Sequence, residues 1–242
     1  MLLPIRKPTM ELGQKIVFLS MIKFRNLVLA LAFALLPLCS GAQNLTFSTN
    51  ALEWANLGTV NGDVTVSLAR RWSLGLNAQY NPWTLKFNHG EKWIYNRHRT
   101  FGVYGEWWPW YVNAGWGVQF GAQFKEYAEG GFPFFKHTYP EPTGRIPLVE
   151  EGDAVGGGVS VKYSRLLSRN WSLEFSAGAW AGWKWYTRYR CPNCGRQLEV
   201  NQGFFVAPYN VAVKIVFVIP LGENAKLDRD EIREVQVPYR IK

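Results

Sequence analysis

The chain has 242 residues, with 27 Lys+Arg against 18 Asp+Glu, a formal charge of +9, only 19% charged residues, 16% aromatics and 23 Gly. Abundant aromatics exclude a disordered chain, and the Gly and aromatic content argues against a helical bundle. A mean hydropathy of −0.14 excludes a polytopic helical membrane protein, which needs several apolar runs of about 20 residues.

Read in chain order, the first 42 residues form an export signal with an N-terminal extension. Met21-Ile-Lys-Phe-Arg25 is a short basic start, Leu27 to Leu38 an apolar run, and Ser40-Gly41-Ala42 a small-residue cleavage signature. The run is shorter than a membrane span, and Leu38 stands before Cys39 where a lipoprotein signal wants a small residue. Met21 is the expected start and Ala42 the last residue removed. Losing Arg6, Lys7, Lys15, Lys23, Arg25 and Glu11 takes the net charge from +9 to +5. A modest charge on an exported chain does not suggest nucleic acid.

From Gln43 the dominant period is two. Leu45 to Ala51, Asp63 to Leu68, Trp72 to Tyr80, Phe101 to Trp107, Ala114 to Phe124, Val155 to Tyr163, Trp171 to Trp183 and Tyr209 to Ile219 each alternate apolar with small or polar residues. Most run about 9–11 residues, the length of a tilted membrane-spanning strand. The polar face holds mainly Gly, Ser, Thr, Asn and Gln, which suit a narrow barrel interior. The apolar face of these segments carries no Asp, Glu, Lys or Arg, as a lipid-facing surface requires. The sequence therefore predicts an eight-stranded, antiparallel transmembrane β-barrel over 43–220 with a side-chain-plugged lumen. The alternative fold is a soluble, exported β-sandwich that binds a ligand. Which face of Trp116–Phe124 points outward separates the two.

The connections alternate. Those at Ala69–Trp72, Trp108–Val112 and Leu166–Asn170 are short, and those at Asn81–Arg99, Glu126–Gly152 and Tyr186–Gly203 are long. Short periplasmic turns and long external loops alternate in this way in outer-membrane barrels. Aromatics gather at both ends: Trp72, Trp107, Trp110, Tyr111, Tyr163 and Trp171 near the short turns, and Tyr80, Trp83, Tyr127, Trp183, Trp185 and Tyr186 near the long loops. Leu221–Lys242 is charged and polar, and is expected to be a periplasmic tail.

Three groups of residues are candidates for chemistry. Glu106, Lys162, Glu174, Lys184 and Lys214 share the inward face, where buried charges must pair. They are expected to form a structural lumen network. Lys86, Lys92, Arg97 and Arg99 make the first long loop basic, a candidate binding surface for lipopolysaccharide phosphates. Cys191 and Cys194 form a Cys-x-x-Cys in the last long loop. In an exported protein this spacing suits a local disulfide. A metal site completed by His89, His98 or His137, redox chemistry and free thiols remain open. No metal and no cofactor is expected.

Several motifs resemble one known family. Leu68-Ala69-Arg70-Arg71-Trp72-Ser73-Leu74 with Tyr80-Asn81-Pro82-Trp83, Tyr189-Arg190-Cys191-Pro192-Asn193-Cys194-Gly195, and Ala207-Pro208-Tyr209-Asn210 are similar to segments of the domain of unknown function 3575 family of exported, barrel-like proteins of Gram-negative bacteria. The resemblance covers roughly Asn44 to Pro220. It implies a barrel and brings no activity. Some members are similar to proteins encoded beside fimbrial genes, which points to surface adhesion. The expected function is thus that of a monomeric outer-membrane barrel of structural or surface-interaction type. It would contact membrane lipids, lipopolysaccharide and a surface or fimbrial partner, with its long loops external, both mature termini periplasmic and no catalysis. The enzyme alternative, a lipid A-modifying barrel, requires a His and a hydroxyl or carboxylate converging at the outer rim.

Overall fold

The computed structural model describes residues 43–87, 92–130, 138–141, 144–190 and 197–236. The expected leader, His89, His137, Cys191 and Cys194 lie outside the described residues, as do the side chains of Lys86 and Lys92.

Strand β1 (Asn44–Asn50) leads into a helical turn, α1 (Ala51–Ala55). Then follow β2 (Val60–Ala69), β3 (Trp72–Asn81), a short β4 (Thr84–Phe87), β5 (Lys92–Trp107) and β6 (Gly115–Gly130). A short β7 (Thr138–Glu141), β8 (Gly144–Leu166), β9 (Trp171–Arg190), β10 (Gln197–Pro220) and helix α2 (Glu223–Gln236) complete the order. All pairings are antiparallel, and the strands neighbour one another as β1-β2-β3-β5-β6-β8-β9-β10. Strand β10 returns to β1, Asn44 facing Pro220 and Asn50 facing Lys214. The sheet is therefore a closed ring of eight strands, as the period-two segments predict. Strands β4 and β7 extend the sheet off the ring, against β5 and β8. The end of the ring holding the turns at 70–71, 108–114 and 167–170 is called the lower end, and the opposite end the upper.

The pleat points the way the alternation requires. Trp116, Phe120 and Phe124 are exposed on the outside of β6, Trp116 by 64%, while Gly117 and Gln119 between them are buried. A two-layer sandwich would turn these large residues into its core, so the orientation matches the barrel. Inside, small residues make room for a few large ones. A Cβ on Gly75 would stand 2.4 Å from the Tyr104 ring, and one on Gly117 2.7 Å from Trp108, so both positions need glycine.

Four features depart from the sequence reading. First, β1 stops at Asn50, and Ala51 begins α1 instead of continuing the strand. The Asn50 carboxamide causes this, its Oδ1 accepting from the backbone N–H of both Leu52 and Val213. Second, Tyr209 points inward rather than outward. A bulge between Tyr209 and Ala212, with Asn210 in the left-handed region at φ 48°, flips the parity of everything above it. Third, the long connections are largely strand, because the ladder continues after the apolar period ends. Arg97 and Arg99 sit on β5, not in a loop. Fourth, the segment after Pro220 folds. Ala225, Arg229 and Ile232, spaced for one helical face, bury that face of α2 against the lower end.

The aromatic ends are sorted in the same way. Trp72, Trp107 and Trp171 are exposed on the outside near the lower turns, and Tyr80, Trp83, Trp183 and Trp185 near the upper end. Tyr111 and Tyr127 do not join them. Tyr111 is buried under α2 with Ala114, Leu166 and Ile232, and Tyr127 is turned into the lumen. The outer face first carries charge along the ladder row of Tyr80, Arg99, Glu126, Asp153 and Trp185.

Candidate functional site

The lumen has two levels. The lower one is filled. Lys162 extends inward from β8, only 2% exposed, and bridges Glu106 of β5 and Glu174 of β9, its Nζ lying 2.9 Å from Glu174 Oε1. Glu106 also accepts from Ser73 Oγ at 2.7 Å and from the Trp108 indole at 3.3 Å. Nearby, Lys214 lies 3.2 Å from Asp63, which accepts a further hydrogen bond from Ser48. The Tyr104 ring lies near both ammonium groups, 6.0 Å from Lys162 and 5.9 Å from Lys214. Its hydroxyl shares a 2.9 Å hydrogen bond with Thr65. Buried charges are tolerated when each has its counter-ion and hydrogen bonds. Here each has its counter-ion, and the lower lumen is a filled, ion-paired layer.

Helix α2 closes this end from below. Arg229 is buried, its Nε donating to the Arg169 carbonyl at 3.0 Å and an Nη to Ser172 Oγ. Burial without a carboxylate beside it pushes the guanidinium down to about 10. Gln236 accepts from the Leu166 N–H, and Arg70 reaches both Tyr111 and Asp228.

The upper level holds a cavity of about 470 Å³. Its floor is Asp63 and Lys214, α1 contributes Glu53, and β3, β5 and β6 contribute Asn77, Gln79, His98, Thr100 and Gln123. Trp180 of β9 and Tyr209 of β10 line it from elsewhere in the ring. His98 lies beyond Arg99, above the apolar outer face. Burial, with Lys125 close by, lowers its imidazole to about 4. Its Nδ1 stands 3.7 Å from Glu129, which is held by Lys125 at 2.5 Å.

Of the expected lumen network, Glu106, Lys162 and Glu174 form one cluster and Lys214 joins Asp63. Lys184 does not belong to it. It lies higher, 2.6 Å from Glu150, which also takes Arg188 and the Tyr127 hydroxyl. The Tyr186 ring contacts both cations, 4.3 Å from Lys184 and 4.8 Å from Arg188. Of the basic group, Arg99 is held by Glu126 in a two-pronged pair at 2.6 Å, and Arg97 is exposed on β5. Sequence reasoning missed Glu150, Tyr127 and Arg188, because they lie where period-two hydrophobicity has ended. Among the described residues no group of three His, Cys, Asp or Glu could hold a metal ion.

The family model described as "Protein of unknown function (DUF3575)" matches residues 27–219. No curated protein matches, and no solved structure matches.

Proposed function

The chain belongs to that family, whose description names no activity, and from the geometry we propose that it is an outer-membrane β-barrel of structural or surface-interaction type. The observation that carries the reading is the division of the ring. Large apolar side chains cover the outside, while the charges of the same segments are paired within. Bilayers admit strands only as closed barrels, since every backbone group must be paired. Trp and Tyr at both ends suit the headgroup level. In this reading the lower end and both mature termini face the periplasm, and the upper end faces outward. Membrane lipids surround the wall, lipopolysaccharide and a surface or fimbrial protein meet the upper rim, and the barrel acts as a monomer. The filled lower lumen supports an anchoring role over a conducting one. No catalysis is expected. His98 does meet a carboxylate, but inside the ring rather than on the lipid-facing rim that a lipid A-modifying barrel would use.

The test is membrane fractionation with gel mobility compared before and after boiling. An outer-membrane barrel sediments with the envelope and shifts on heating. A soluble product with unchanged mobility overturns the reading and restores the soluble binding module.

A further inference from the structure

We infer that the upper lumen is a binding cup for an uncharged saccharide of one or two rings. The inference goes beyond the anchoring role and needs no bilayer, because it rests on the cavity alone. The volume, about 470 Å³, lies within the roughly 300–1,000 Å³ range of small-molecule sites.

Topology gives the cup two unlike walls. In the ring, β3, β5 and β6 are consecutive, with β9 and β10 on the far side. The ladder places Gln79, Thr100 and Lys125 in one row across the first three strands. It places Asn77 and Gln123 on either side of Gly102 in the next row. The far wall presents Trp180 and Tyr209. One wall thus carries amides, a hydroxyl and paired charges, and the other adds two aromatic side chains.

The electrostatics narrow the ligand. Lys125 is held by Glu129 and Lys214 by Asp63, so the cup's cations are already neutralised. An anion such as a phosphate would have to break these pairs. A lipid tail would leave the polar wall without partners, which is costly. What remains are groups that both donate and accept. Carboxamides do so, and so do the hydroxyls of a sugar. Several amides of the cup are committed to the protein: Asn50, Asn61 and Asn210 all hydrogen-bond within it. Among the described residues, the side chains of Gln79 and Gln123 make no hydrogen bond. The buried His98 Nδ1, which lines the same cavity, makes none either. These groups lie on the polar wall, where a hydroxyl-rich ring seated between them and the largely buried Trp180 and Tyr209 would meet them.

The full-length protein, purified in a detergent without a sugar headgroup, is titrated calorimetrically with maltose, lactose, cellobiose and N,N′-diacetylchitobiose. Glucose 1-phosphate and glucuronate serve as charged counterparts. At least one neutral disaccharide is expected to bind, and to weaken by at least about tenfold in Gln79→Leu/Gln123→Leu, which leaves the ionic layer intact. Heat-shifted mobility reports that the variant is folded, and Gln79→Leu alone is used where the double variant is not. No binding by any neutral member, tighter binding of a charged counterpart, or unchanged affinity in a folded variant would overturn the inference. A protein that fractionates as soluble but binds a disaccharide refutes the bilayer reading while leaving the cup in place.

Discussion

From Lys214 downward, the lumen holds three carboxylates and two lysines in ion pairs, with Tyr104 and Trp108 beside them. Above it, the same eight strands carry an equally polar inner face around a cavity. The difference lies in filling rather than polarity. In the lower level, each charge has a counter-ion on another strand and aromatic rings fill the space around the pairs. In the upper level, part of the polar wall has no partner within the protein, and the space is left for something else. Helix α2 reinforces the contrast by packing under the lower end, where Ile232 and Arg229 are buried.

The largest expected break in this contrast comes from Lys162→Met. It leaves Glu106 and Glu174 buried without their shared cation and should cost about 3–5 kcal/mol. The midpoint of urea unfolding, followed by Trp fluorescence, measures it. Glu174→Leu should cost less, since Lys162 keeps Glu106. If Lys162→Met unfolds like the parent, the lower layer is not a stabilising network.

The second effect is one of pH and belongs to the upper level. His98 is neutral in the fold down to about pH 4, while the unfolded chain takes up the proton near 6.5. Between those values the unfolded state binds more protons, so stability falls as pH drops through 6.5 and the loss is complete near 4. Its full extent is on the order of 3 kcal/mol. His98→Asn should flatten this slope between pH 7 and 4.5, and a parent protein with no slope there would contradict the burial argument.

The smallest effect sharpens the comparison most. Gln123→Leu removes a carboxamide without a partner among the described residues and should change unfolding stability by no more than about 0.5 kcal/mol. A loss as large as that of Lys162→Met would mean that the upper wall is as structurally committed as the lower one.

The barrel was legible because its signal is local. Eight period-two segments, uncharged apolar faces and alternating connection lengths sufficed for strand number, pairing type and the outward face of Trp116–Phe124. The pairing of Glu106, Lys162 and Glu174 could be expected only as a class, since three strands contribute one residue each. Glu150 with Lys184 and Arg188 was not legible at all, because no hydrophobic alternation marks the upper strand extensions. Helix α2 left a trace in the spacing of Ala225, Arg229 and Ile232, obscured by the charged residues between them.

The sequence by itself determined which face of each strand meets which medium, because a side chain's side of a sheet follows from its parity. Parity fails where one residue is added, and only the tertiary structure could show that Asn210 adds one and so turns Tyr209 into the cup. The tertiary structure also decided which inward groups meet. Ring closure brings Asp63 to Lys214 and sets the amide wall across from Trp180, and those distances depend on register and shear around the whole barrel.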